Sequence, residues 1–124
     1  MTPFSILTRL AGLSLREAAE FHKVRLDTAK SWSSGRNECP ARVLDELRGL
    51  IDRQENSAAF WTPRKGSAIF LDEPGNDAEA QSLGWPCVGA WGAMAGRVLA
   101  KSHRAVIVRR DAAQASDAKL GTHL

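Results

Sequence analysis

Residues 13–36 read LSLREAAEFHKVRLDTAKSWSSGR, and the small and apolar positions in this stretch set the expectation for the N-terminal half. It opens with a capping box: the Ser14 hydroxyl is placed to accept from the Glu17 amide, and the Glu17 carboxylate to reach back to the Ser14 amide. Leu15, Ala18, Ala19 and His22 follow on one helical face, with Phe21 beside them. This helix is short and ends near Lys23. A second runs from about Leu26 to Ser33, with Ala29 and Trp32 on its inner side and Gly35 as its stop. Two short helices crossing steeply need a small residue in the first, an aliphatic plug at the turn and inward residues three apart in the second. Ala19, Val24, Ala29 and Trp32 meet those needs, which predicts a helix-turn-helix from about Leu15 to Ser34. All four belong to its core.

Working outward, Thr2-Pro3 supplies an N-cap and a first helical residue with φ already set. Phe4, Leu7, Leu10 and Ala11 recur at helical spacing before Gly12. Asn37 to Pro40 reads as a loop. Pro40 starts a further helix with an apolar stripe of Val43, Leu44, Leu47, Leu50 and Ile51, and Gln54 to Ala59 reads as its frayed end. From Phe60 the pattern changes. Ser67 to Leu71 is a short strand candidate, Asp72-Glu-Pro-Gly-Asn76 is a turn, and a helical piece from Asp77 ends at Gly84. Pro86 to Lys101 reads as a longer helix, and Arg104 to Arg110 as a β-branched strand. The tail from Asp111 is small and polar, with disorder or a weak helix both open. The fold class expected is α+β. An all-α helix-turn-helix bundle over 1–58 is followed by a small α/β dimerisation region over 59–124, ending in a flexible tail.

The 124 residues carry a net charge of +3, 44% hydrophobic and 25% charged residues, an ordinary globular composition. Charge is localised: Lys23, Arg25, Lys30 and Arg36 lie in one window against a single acid, Asp27. That suits a phosphate-facing edge, and a solvated helix face accounts for the same charges. Cys39 and Cys87 are far apart and form no CxxC, which points to a reduced setting. Without a signal-peptide stretch or a run near the ~20 apolar residues that span a bilayer, the expectation is a cytoplasmic protein with no membrane partner. His22, His103 and His123 are scattered, with no metal-ligand spacing beside either cysteine. No nucleophile–base motif or nucleotide fingerprint occurs, and Asp72 with Glu73 reads as turn chemistry. No enzymatic activity, metal or cofactor is expected.

The 13–36 stretch resembles the helix-turn-helix of phage Cro and repressor-type (XRE-like) transcriptional regulators. That family tends to carry a tryptophan or similar residue late in its recognition helix, then a Gly-Arg/Lys loop and a proline, as Trp32, Gly35-Arg36 and Pro40 do here. The resemblance covers roughly Phe4 to Ile51. Three positions depart from it. Lys23 stands where the turn usually has glycine, which predicts a left-handed lysine strained by about 1 kcal/mol. Arg25 stands where a Ser or Thr cap is usual, and Ala29 where Val or Ile is commoner.

The resemblance implies a recognition helix whose outward residues Arg25, Leu26, Asp27, Lys30 and Ser31 enter the major groove of double-stranded DNA. Leu26, Asp27 and Ser31 occupy its base-facing positions. Arg25 suits a guanine edge or a phosphate, Asp27 a cytosine amino group, Leu26 a thymine methyl. Ser34, Arg36 and Asn37 suit backbone phosphates, which fix register, and the resemblance also brings Asn37 within reach of a base. A surface pair of Asp27 with Lys30 or Lys23 is the alternative use of that carboxylate. His22 reads as a core-edge histidine.

In the C-terminal half, Gly89, Gly92 and Gly96 share one face if the segment is helical, and such a face permits close backbone approach. Trp85, Trp91, Gly92, Gly96 and Ile107 are the candidates for a homodimer interface, and the two strands pair with each other or across the dimer. At the level of pattern this half resembles the C-terminal part of anti-CRISPR-associated repressors, which implies a dimer that represses its own operon. The expectation is a dimeric repressor on an inverted repeat, autoregulatory by that resemblance. The alternative is an antitoxin-type protein whose C-terminal half covers a protein partner.

Overall fold

A computed structural model of the chain describes residues 1–61 and 68–109. In order, the elements are α1 (Pro3–Leu10), α2 (Leu15–His22), α3 (Leu26–Ser34), α4 (Ala41–Phe60), β1 (Ile69–Glu73), α5 (Asp77–Ser82), α6 (Val88–Lys101) and β2 (Ala105–Arg109). The fold is α+β: four helices, then two strands joined through two more. Ser67 and Arg110 of the expected strands, and the tail from Asp111, lie outside the described residues.

Helix starts follow local chemistry. Thr2 and Ser5 cap each other around α1, with Pro3 at its first position. Ser14 and Glu17 do the same around α2. The Asn76 side chain accepts from the Glu79 amide at the start of α5. The first turn of α6 is satisfied from a distance, by the Asp77 carboxylate accepting from the Val88 amide at 2.9 Å.

Two expectations about helices change. α4 does not fray at Gln54 but stays helical to Phe60, with Gln54 and Ala58 buried. Packing is the reason, because α6 lies along this part of α4. The Gln54 amide nitrogen is fully enclosed and donates to the carbonyls of Ala11 (2.9 Å) and Ala90 (3.0 Å), so both its N–H groups are used. The three glycines of α6 also part company. Gly89 meets Gly12 backbone to backbone: a Cβ on either would collide with the carbonyl of the other. Gly92 and Gly96 face open space.

The strands pair with each other, in parallel, with Ile69 opposite Ala105 and Glu73 opposite Arg109. Ile69 and Leu71 turn into the core beside α6, while Phe70 and Val106 turn outward. One contiguous core runs from Phe4 and Trp32 through Leu47 and Leu50 to Trp91, Met94 and Leu71. Among the described residues, buried side chains from both the N-terminal helices and the β1–β2 and α6 region belong to this one core. Trp85 and Trp91, expected on a dimer interface, belong to this core. Trp91 is 5% exposed, and Trp85 is 7% exposed with the Arg53 guanidinium over its ring at 5.2 Å. With α6 wedged between α4 and the sheet, Trp91, Met94 and Val98 turn inward and Gly92 and Gly96 outward. Among the described residues, no helix is long and apolar enough to cross a membrane.

Candidate nucleic-acid interface

The α2–α3 pair is built as its spacing predicts. Ala18, Ala19 and Ala29 are buried, and Val24 is half-buried against the same core. The turn depends on Lys23, whose backbone is left-handed (φ 58°, ψ 46°), the one non-glycine with positive φ among the described residues. It lets the Val24 amide return to the Ala19 carbonyl at 2.9 Å. Trp32 meets Phe4 edge-on at 5.5 Å. The Thr2 hydroxyl lies 3.2 and 3.1 Å from the carbonyls of Trp32 and Ser33 and donates to them, so the cap of α1 also pins the end of α3. That second role of Thr2 joins residues 30 apart and leaves no mark in the local pattern.

His22 is a core residue. Its ring is enclosed between Phe4 and Phe21, and its Nδ1 donates to the Glu46 carboxylate of α4 at 3.0 Å, since a carboxylate only accepts. Its buried Nε2 has no hydrogen-bond partner among the described residues. Both cysteines are free thiols. Burial pushes each above its ordinary pKa, for Cys87 with help from the carboxylates of Glu17 and Asp77.

Arg25, Asp27 and Lys30 are exposed along the outer side of α3, and Leu26 is half-buried beside them. Ser31 is the exception among the five expected base-facing residues. It is 4% exposed, and its hydroxyl donates to the Thr28 carbonyl (3.0 Å) and accepts from the Asn37 amide group (3.2 Å). The loop folds back over that turn of the helix, so Ser31 organises the site from beneath. Ser34 and Asn37 join the same network. The Ser34 hydroxyl donates to the Ser31 carbonyl and accepts from the Arg36 amide, and the Asn37 amide donates to the Ser31 carbonyl. Ser34, Arg36 and Asn37 are all exposed at this end of the helix.

The charges sort by location. Arg42 pairs with Glu46 (3.4 Å), Arg48 with Asp45 (2.9 Å), and Arg97 with Glu55 (2.9 Å). Lys23, Arg25, Lys30 and Arg36 are exposed, and among the described residues none is in an ion pair. Asp27 pairs with neither Lys30 nor Lys23. The segment from Lys23 to Arg36 thus presents four exposed cations outside any ion pair among the described residues, and one carboxylate, Asp27. Among the described residues, no three His, Cys, Asp or Glu side chains converge as a metal site requires. Of the dimer candidates, Gly92, Gly96 and Ile107 reach the surface. No protein-family model matches the chain, and no curated protein matches it.

Proposed function

We propose that the chain is a sequence-specific DNA-binding regulator that acts in the cytoplasm as a dimer, reading the major groove of an inverted repeat with α3. The observation that carries this reading is the outer face of α3. Arg25, Asp27 and Lys30 project from a helix seated on α1 and α2, with no other part of the described chain covering them. A helix of this width fits the major groove, where each base pair shows its own pattern of donors and acceptors. Arg25 and Asp27, at the N-terminal end of α3, are the base readers, with Leu26 for a thymine methyl. Lys30, Arg36 and the ordered Ser34–Asn37 loop face phosphates. Two copies would read half-sites roughly 34 Å apart or a multiple of that.

The test is affinity for a duplex selected from a random pool and for its scrambled version, at one salt concentration. Lys30→Ala should weaken both equally, and Arg25→Ala should also narrow the gap between them by about 1–3 kcal/mol. Equal losses for both variants on both duplexes contradict the assignment.

A further inference from the structure

Ser31 follows Asp27 by one helical turn, on the same flank of α3. Asp27 is exposed, but Ser31 is enclosed. Asn37 lies against it, brought back by the loop after Gly35. The Asn37 backbone amide donates to the Ser31 carbonyl at 3.3 Å, and its side-chain nitrogen donates to the Ser31 hydroxyl at 3.2 Å. Both bonds end on one residue, so Asn37 is held at two points against the turn that follows Asp27. Its exposed amide takes the place where a longer side chain at position 31 would project.

The Ser31 hydroxyl has one proton, and that proton goes to the Thr28 carbonyl at 3.0 Å. Toward Asn37 the same oxygen can then only accept. An amide turned the other way would set its own oxygen against that acceptor, so the nitrogen is the end that faces Ser31. The chain from Thr28 through Ser31 to Asn37 thus fixes which way round the amide lies. It leaves Oδ1 and the second N–H without a hydrogen bond among the described residues. An acceptor beside a donor is the pattern that adenine complements in the major groove, with its N6 amino group and its N7.

We propose that Ser31 is a positioning residue for base reading, which orients the Asn37 amide so that Asn37 reads an adenine near the pair that Asp27 contacts. This rests on α3 lying in the major groove, as proposed above. The rest of the Ser34–Asn37 loop keeps to the phosphates while the Asn37 side chain takes the base.

The test uses a duplex selected by the wild-type protein and copies in which single adenines are replaced by 7-deazaadenine, which has C–H in place of the N7 acceptor. Urea unfolding of each variant checks its fold. The wild type is expected to lose about tenfold in affinity at one adenine in each half-site. Asn37→Ala should make that position indifferent, and so should Ser31→Ala, although residue 31 touches no base. Both should keep their response to 7-deazaguanine at the position read by Arg25. Ser31→Thr keeps the hydroxyl and should keep the adenine response. Ser31→Cys, a near-isostere whose sulfur accepts only weakly, should blunt it, a readout that stands even if Ser31→Ala fails to fold. A structural role alone would lower affinity for every duplex alike, so an adenine response that survives in folded Ser31→Ala or Ser31→Cys overturns the proposal. A wild type that responds to 7-deazaguanine and to no 7-deazaadenine overturns it too, and leaves α3 in the groove. A wild type that responds to neither overturns both readings.

Discussion

Arg25 stands at the N-cap of α3 with no side-chain hydrogen bond to the helix. The helix therefore forgoes a cap of about 1 kcal/mol at the position where a guanidinium faces outward. Arg25→Ser is expected to raise stability by about 1 kcal/mol, read as a higher urea midpoint at unchanged slope, while lowering affinity for a selected duplex. A variant that gains no stability and keeps its affinity for the selected duplex would deny Arg25 this double position. Residue-level features were legible where they are local. Both N-terminal capping residues, the left-handed Lys23 and the core role of His22 follow from neighbours a few positions away. Ser31 was not legible, because its burial depends on Asn37 folding back from a loop six residues on. The inward turn of Trp85 and Trp91 was equally hidden, since periodicity groups side chains on a face without saying which face meets the core.

At the scale of elements, α6 shows what one face of a helix can and cannot tolerate. Gly89 crosses Gly12 with no room for a Cβ, whereas Gly92 and Gly96 meet nothing. Gly89→Ala is expected to cost about 1–3 kcal/mol by overpacking, and Gly96→Ala to stabilise by up to about 1 kcal/mol through helix propensity. Thermal unfolding of the two variants checks the contrast; equal shifts would mean that α6 does not lie against the α1–α2 corner. The three glycines share a spacing, so only the tertiary crossing separates them. The same holds for α4, where the polar run after Ile51 looks like a helix end until Gln54 is seen bonded to Ala11 and Ala90. Strand existence was readable from β-branched composition, but parallel pairing within one chain was one of two open arrangements.

At the scale of the molecule, Gln54 and the Gly12–Gly89 crossing tie the two halves into one core. Urea unfolding should then be a single transition, coincident by tryptophan fluorescence and circular dichroism. Gln54→Leu should shift it by about 2 kcal/mol by stranding the Ala11 carbonyl. Two separated transitions would contradict a shared core. The shared core matters for the proposed reading, because two copies would hold their α3 helices at a fixed spacing only if each chain moves as one body. Everything in the proposed function rests on α3 entering the major groove. Guanine N7 methylation, which blocks the major-groove edge alone, tests it most directly on a duplex selected by the wild-type protein. Interference is expected at guanines in two symmetric half-sites, with one position in each losing its effect in Arg25→Ala. Binding untouched by methylation anywhere in the selected site would contradict it.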